Sequence, residues 1–250
     1  MINNVLMDLK AQARRLAKDL PPAQFYVDQS AHVALAWDMF FNHPVVLRLQ
    51  QDSIAFLYDD YMFGIEHSKK VAQDAAAIIL AEGTWLDDND RRHLALLAQV
   101  AGLLHDLQRE EADHAGKSSL AVASVLEDYP LSAEDRDLVA RAVADHEANH
   151  EPEGYPDEAA RLLARALHDA DKFRYGGDIF ATTMWLYCDY ESWSLAEIAG
   201  QFPRGIEMAD SLAPTLRTEM GREYGPEILR QGARLGRMML EKLQQAARGA

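Results

Sequence analysis

Apolar side chains recur at helical spacing along almost the whole chain, and this pattern limits the fold more than any other feature of the sequence. Twelve segments show the i, i+3/i+4 repeat that places apolar side chains on one helix face, and strict strand alternation is absent. The predicted helices cover residues 3–19, 30–41, 45–58, 60–82, 89–106, 114–128, 133–149, 157–173, 177–188, 195–201, 206–220 and 226–248. We therefore predict an all-α fold, organised as a single domain over residues 1–250.

Two helix starts are marked by capping residues. Ser132 with Asp135, and Ser194 with Glu197, match the spacing of a capping box, in which the side chains of the two residues bond each other's backbone N–H groups. The segment "EPEGYPDE" at 151–158 has the Pro and Gly residues of a connecting loop. These signals indicate where helices begin and where the chain turns between them.

The charge balance and the single cysteine limit the classes of function. The chain has 250 residues, with 25 Lys and Arg against 40 Asp and Glu, and a formal net charge of −15. We therefore expect no general binding to nucleic acid, which needs clustered cations. Cys188 has no partner for an internal disulfide, and the charged N-terminal segment does not resemble a signal peptide. No apolar stretch approaches the roughly 20 residues of a membrane span, so we expect a cytoplasmic protein without membrane contact.

Several polar residues fall on helix faces that are otherwise apolar. Five predicted helices each place an imidazole or a carboxylate on such a face, and these residues are His67, His105, His114, His146 and Asp171. Asp106 lies about 100° around the helix from His105, so near a helix end both side chains can reach one point. Burying so many titratable groups separately would be costly, whereas one divalent metal centre would explain them together.

The order of these residues resembles a known family. His67, then His105-Asp106, then Asp171 follow the order H…HD…D, within the segments "GIEHSKKVA" (64–72), "AGLLHD" (101–106) and "ALHDADKF" (166–173). This set resembles the HD-domain superfamily of metal-dependent phosphohydrolases, and most of all its small stand-alone bacterial hydrolases. The resemblance covers about residues 60–185. It implies an HD-domain helical bundle in that range, with accessory helices in residues 1–59 and 186–250.

The resemblance also implies a set of metal ligands. His67, His105, Asp106 and Asp171 would hold a divalent ion, and the sequence does not distinguish Mn, Fe, Co, Ni, Mg or Zn. His114 and His146 lie where many members have two further histidines, which hold either a second ion or the substrate phosphate. His168-Asp169 repeats the HD pair just before Asp171; we assign Asp169 a structural or supporting role and leave His168 open, together with His150.

Two local departures from the family pattern affect the choice of function. Leu107-Gln108-Arg109 follows the HD pair where many members have Gly-Lys, and "EGYP" at 153–156 is only superficially similar to the signature of the cyclic-di-nucleotide phosphodiesterases. Cleavage of cyclic di-nucleotides is therefore disfavoured. The missing Lys also favours, by a narrow margin, a substrate or supporting role for His114 and His146 over a second metal site.

The function implied by the resemblance is hydrolysis of a small phosphorylated metabolite, with a nucleotide as the leading candidate, by metal-activated water. His105, Asp106 and Lys172 are the predicted catalytic residues. The cations near the motifs that would bind the substrate phosphate are Lys70, Arg109, Lys117 and Arg174. Two alternatives remain: a di-iron oxygenase of the HD type, and a non-catalytic HD module that senses nucleotides. Besides the substrate, a second copy of the chain, forming a homodimer, is a candidate partner.

Overall fold

The protein is an assembly of α-helices in its computed structural model, which describes residues 2–57, 65–109, 111–147, 152, 154–190 and 193–249. Twelve α-helices and no β-strand occur in these residues, which confirms the predicted all-α class. The helices are α1 Ile2–Asp19, α2 Gln24–Asp28, α3 Ser30–Asn42, α4 Pro44–Leu57, α5 Ile65–Glu82, α6 Asp88–Leu104, α7 His114–Val125, α8 Ala133–Asp145, α9 Glu158–Phe173, α10 Met184–Tyr190, α11 Leu195–Ser211 and α12 Glu219–Gly249.

Helices α5, α6, α8 and α9 pack together at the centre of the larger apolar core. Helix α5 buries a continuous apolar run from Ala75 to Leu80, and α6 buries an almost entirely apolar run from Leu94 to Leu104. At roughly 1.5–3 kcal/mol for each fully buried large aliphatic side chain, this packing dominates the stability of the bundle. The axes of α5 and α6 come close together at Gly102, where a Cβ atom would lie 2.4 Å from the Cα of Ala72.

Side-chain caps fix where several of these helices begin. The capping boxes predicted at Ser132 and Ser194 are both present, with the reciprocal bonds to Asp135 and Glu197. Asp157 caps α9 by accepting from the backbone N–H of Ala160 at 2.8 Å. Such caps are each worth about 1 kcal/mol, and the one on α9 sets the start of the helix that contains Asp171.

The predicted helix breaks near two prolines are wrong. Helix α11 runs through Pro203, and α12 begins at Glu219 and runs through Pro226. A proline inside a helix removes one backbone hydrogen bond and crowds the preceding turn. Burial of the neighbouring apolar side chains, such as Phe202 and Ile206 in α11, outweighs that cost.

The sequence analysis also missed one short helix, α2. Its five residues are too few to show a full repeat of apolar positions, so periodicity does not reveal it. The helix predicted over 177–188 is a π-helical turn, Ile179–Thr183, followed by α10 in the structure. The predicted start of a helix at residue 60 lies outside the described residues.

Helix α12 contacts both apolar clusters of the protein. Tyr224 and Ile228, near its start, belong to the larger cluster, whereas Met239 and Leu243 belong to a second cluster formed with α1, α10 and α11. None of the helices in the described part of the chain combines the length and the apolar character that crossing a bilayer requires.

The start of α12 is attached to α9 through one buried carboxylate. Asp169 accepts hydrogen bonds from the backbone N–H groups of Arg217 and Thr218 and from the Thr218 hydroxyl, at 2.8–3.0 Å. Gly221 is required beside it, because a Cβ atom there would lie 2.0 Å from the Asp169 carboxylate. This contact ties the helix that contains Asp171 to the C-terminal helix.

Candidate metal centre

The four residues predicted as metal ligands lie together in the interior, on three different segments. His67 is on α5, His105 and Asp106 follow directly after α6, and Asp171 is on α9; all four side chains are buried. The Nε2 atom of His67 is 3.2 Å from Nε2 of His105 and 3.3 Å from Oδ1 of Asp171. Nε2 of His105 is 3.3 Å from Oδ2 of Asp106. One nitrogen or oxygen atom of each residue thus faces a common point.

A second group of ligand atoms faces the other oxygen of Asp106. Nε2 of His114 and Nε2 of His146 each lie 3.7 Å from Oδ1 of Asp106. Glu147 completes this group, with its Oε2 atom 3.0 Å from Nε2 of His114. Both groups meet the spacing of side chains that could hold an ion. Asp106 therefore separates two adjoining sets of potential ligands.

Backbone carbonyls orient two of the histidine rings toward the centre. Nδ1 of His105 donates to the Gly102 carbonyl at 2.8 Å, and Nδ1 of His146 donates to the Val143 carbonyl at 2.7 Å. Because a carbonyl only accepts, each ring has a proton on Nδ1, and Nε2 is the atom that can donate an electron pair to an ion. This is the arrangement that orients metal-binding imidazoles in proteins.

The two aspartates remain ionised despite their burial. Burial alone would raise the pKa of Asp106, but His105, His146 and Arg109 outweigh it and hold that pKa well below its usual value. Burial opposes ionisation of Asp171 in the same way, and Lys172 together with His67 holds its pKa well below the usual value. The centre thus presents carboxylates and imidazole nitrogens, the hard and intermediate donors that divalent cations prefer.

Two buried atoms at this centre lack a hydrogen-bond partner in the described part of the chain, and a cation would interact with both. Oδ1 of Asp106 and Nε2 of His146 are buried and have no hydrogen-bond partner among the described groups. The two atoms are 3.7 Å apart, too far for a good hydrogen bond, and leaving them without a partner is costly. A positively charged ion between them would satisfy both.

Only two of the predicted phosphate-binding and catalytic cations lie at the centre. Arg109 donates to Oδ2 of Asp106 at 2.5 Å, and the Nζ of Lys172 donates to Oδ2 of Asp171 at 2.7 Å. Burial would lower the pKa of Lys172, but Asp171 raises it, so the ammonium stays charged. Both side chains therefore put positive charge beside the ligand carboxylates.

The structure does not bring the other three predicted cations to the centre. Lys117 is exposed and pairs with Glu111, and Lys70 pairs with Asp178. Arg174 is buried and bonds Asp74, Asp178 and the hydroxyl of Tyr26. Each of the three has a carboxylate partner in direct contact, and for Lys70 and Arg174 one partner is distant in sequence. Their assignment to the substrate phosphate stays a prediction.

The second HD pair is His168-Asp169, and its histidine contacts the segment that contains His146. Nδ1 of His168 donates to the backbone carbonyl of His146 at 2.8 Å, which holds the segment after α8 against α9. Burial, with Lys172 and Arg217 nearby, lowers the pKa of His168 to about 3, so the ring is neutral. His150, whose role the sequence analysis left open, lies outside the described residues.

Comparison with known families gives one match. Residues 64–176 match the family model of the HD domain, which supports membership of the HD-domain superfamily for this segment. The match contains every ligand named above and leaves α1–α4 and α10–α12 outside it. Members of the superfamily are mostly metal-dependent phosphohydrolases. Comparison with curated proteins and with solved structures gave no match.

Proposed function

We propose that this protein is a metal-dependent phosphohydrolase that acts on a small phosphorylated metabolite, with a nucleotide as the leading candidate. The observation that supports this most directly is the buried carboxylate of Asp106 between two sets of imidazole and carboxylate ligands. Divalent ions held there would supply positive charge to a phosphoryl group and lower the pKa of a nucleophilic water.

The ligand assignment divides the residues between two adjoining sites. His67, His105 and Asp171 would share the first with Oδ2 of Asp106, and His114, His146 and Glu147 the second with Oδ1. The unsatisfied Oδ1 atom favours a second ion over direct contact of the two histidines with substrate. This inference differs from the preference drawn from the missing Lys after the HD pair.

Lys172 and Arg109 have distinct tasks in this proposal. Lys172 bonds Oδ2 of Asp171, which leaves Oδ1 directed at His67, so Lys172 is a positioning residue for that carboxylate. Arg109 is partly exposed and bonds a carboxylate whose charge an ion would neutralise. Its guanidinium is then the described cation best placed to bind a phosphoryl oxygen, in the forked geometry that arginine favours.

The decisive experiment measures metal content and phosphate release on the same preparations. The full chain is stripped with a chelator and reloaded with Mn²⁺, Fe²⁺, Co²⁺, Ni²⁺, Mg²⁺ or Zn²⁺. Each sample is then assayed for phosphate release from nucleoside mono-, di- and triphosphates. We expect release only with metal. Asp106→Ala should abolish both metal binding and release while circular dichroism stays helical, and Asp137→Ala, which removes an exposed carboxylate of α8, should change neither. Release by Asp106→Ala at the wild-type rate would refute the proposal.

The same donor set also fits two iron ions, so a di-iron oxygenase is the second candidate. Several imidazoles around one shared carboxylate suit iron as well as manganese. Oxygen uptake by the iron-loaded protein, without phosphate release from any nucleotide, would establish that alternative. Metal and nucleotide binding with neither reaction would instead identify a sensing module.

A further inference from the structure

A cavity of about 650 Å³ is lined by residues of α5, the end of α9 and the N-terminal helices. This volume is within the range of small-molecule sites in proteins. The lining includes Lys70 and Arg174 from the HD domain, and Tyr26, Trp37 and Phe41 from α2 and α3. The three aromatic residues lie outside the matched segment 64–176, so this part of the cavity is not part of the family model.

The cavity adjoins the proposed metal ligands along the same two helices. Glu66 lines it and directly precedes His67, and Lys70 lies one helical turn further along α5. Arg174 follows Asp171 by three residues. One turn advances about 5.4 Å along a helix, which is less than the length of a nucleotide. Along α5 the rise from His67 to the lining residue Lys70 is therefore shorter than a nucleotide, as a substrate that reaches both would require.

The charged side chains that line the cavity form ion pairs with one another. Lys69 pairs with Glu66, Lys70 with Asp178, and Arg174 with Asp74 and Asp178. Because these cations are already paired, the lining has no excess of positive charge. It suits an uncharged part of a ligand whose hydrogen-bonding edges can contact these polar groups.

Two aromatic side chains of α3, Trp37 and Phe41, also line the cavity. Trp37 is 51 % exposed and Phe41 is 56 % exposed, although large aromatic side chains are usually buried. They lie four residues apart and so share one face of the helix. Flat apolar surfaces of this kind bind planar ring systems by stacking, largely regardless of the ring's substituents.

We infer that this cavity is the base pocket of the enzyme, in which Trp37 and Phe41 stack on the nucleobase of a nucleotide whose phosphate lies at the metal centre. The inference rests on the proposed function for the position of the phosphate. It assigns recognition of the base to α3, outside the HD domain, and recognition of the phosphate to Arg109 inside it. It also explains why two exposed aromatic residues face a cavity with balanced charges.

The kinetic test compares a substrate that has a base with one that lacks it. Trp37→Ala and Phe41→Ala are assayed with adenosine 5′-monophosphate and with ribose 5-phosphate. Each variant should raise the KM for adenosine 5′-monophosphate about tenfold, because stacking of one base is lost. kcat/KM for ribose 5-phosphate should stay unchanged. Trp85→Ala is the matched control, since Trp85 is 56 % exposed but lies outside the cavity. Equal loss on both substrates, or no loss on either, would overturn the inference.

A binding test separates failure of the pocket from failure of the proposed function. Adenosine, guanosine, cytidine and uridine 5′-monophosphates are titrated calorimetrically into the metal-free full chain. We expect binding that Trp37→Ala weakens about tenfold, that Trp37→Phe largely retains, and that Trp85→Ala leaves unchanged. This result would support the pocket even if no phosphate were released in any assay. Absence of binding by all four nucleotides, with and without Mn²⁺, would refute it.

Discussion

Asp106 is almost fully buried, and its two carboxylate oxygens face different sets of nitrogen atoms. Oδ2 lies near His105 and accepts from Arg109, while Oδ1 lies near His114 and His146. A carboxylate buried in this way is costly unless positive charge compensates it on both sides. In the structure Arg109 compensates one oxygen, and the other has no hydrogen-bond partner among the described groups. The second set of ligands, around Oδ1, therefore lacks the compensating positive charge that an ion would supply.

The second set of ligands should determine how many ions each chain binds. His114→Ala and His146→Ala should each lower the metal content of the fully loaded protein from two ions toward one per chain, because each removes a nitrogen of the second set. Elemental analysis after gel filtration measures this. His93→Ala, which removes a half-exposed histidine that pairs with Asp135, is the control. If metal content held steady while KM rose, the histidines would contact substrate instead.

His168 should make the free energy of unfolding depend on pH in the acid range. The pKa of His168 is about 3 in the folded protein because of burial and nearby cations, against about 6.5 in an unfolded chain. A histidine with a lowered pKa adds stability that is fully present above pH 6.5 and is lost as pH falls toward 3. Between pH 7.5 and pH 5 this loss amounts to about 2 kcal/mol.

His168→Gln should abolish that part of the pH dependence, since glutamine does not titrate. Urea unfolding of the chelator-treated protein at pH 7.5, 6 and 5 measures the effect. The free energy of unfolding should fall less steeply with decreasing pH in His168→Gln than in the wild type or in His93→Gln. Parallel pH dependences for all three proteins would contradict the assignment of the shifted pKa.

The positions of the main ligands could be predicted from the sequence, because helical spacing alone decides which side of a helix a residue occupies. His67, His105 and Asp171 follow from that rule. Glu147 was missed, since it follows His146 in a segment with further glutamates and only the turn after α8 brings it to His114. The salt bridges of Lys70 and Arg174 could not be predicted, because their acidic partners lie about 100 residues away. Such pairing depends on tertiary contacts that spacing does not encode.

The crossing of α5 and α6 determines how far apart the first set of ligands lies. Gly102 packs against the backbone of Ala72, and its carbonyl accepts the Nδ1 proton of His105. His67 and His105 lie about one turn beyond this contact on their respective segments. The distance between the two helix axes at Gly102 therefore sets the distance between the two imidazoles.

Gly102→Ala should weaken metal binding although it changes no ligand. The new Cβ atom would meet backbone atoms of Ala72 at 2.4 and 2.5 Å, so the helices must separate. We expect about 1–3 kcal/mol lower stability, as for other overpacked cores, and at least tenfold weaker metal affinity by calorimetry. Gly200→Ala is the matched control, because nothing lies within 4 Å of its added Cβ atom. Unchanged metal affinity in Gly102→Ala would show that the site tolerates a wider crossing.

Periodicity predicts that a helix is present. It does not predict whether the helix continues through a proline. The sequence alone indicated breaks near Pro203 and Pro226, because proline disfavours a helix locally. Buried contacts of α11 with α12, which involve residues such as Phe202 and Ile206, keep these helices continuous. The length of a helix thus depends on its neighbours as well as on its own residues.

The candidate metal centre brings together side chains from five segments of the chain. Its potential ligands come from α5, the end of α6, the start of α7, the end of α8 and α9. α9 is in turn fixed to α12 by Asp169, and α12 reaches both apolar clusters. Loading the centre should therefore stabilise the fold as a unit.

We expect the melting temperature of the metal-loaded protein to exceed that of the chelated protein by about 5–10 °C. An ion at a hundred times its dissociation constant adds about 2.7 kcal/mol, and 1 kcal/mol corresponds to about 2–4 °C in a chain of this size. Differential scanning calorimetry with and without Mn²⁺ measures the shift. Asp106→Ala should melt at the same temperature in both conditions. A wild-type melting temperature independent of metal would show that the centre does not bind ions.

The single carboxylate between the two ligand sets also makes their occupancies interdependent. An ion on Oδ2 and an ion on Oδ1 would share the charge of Asp106, so each changes the affinity for the other by the same factor. Two cations on one carboxylate would repel each other, so the second ion would bind more weakly than the first. Such negative cooperativity would let the free metal concentration select between a one-ion and a two-ion form of the same protein.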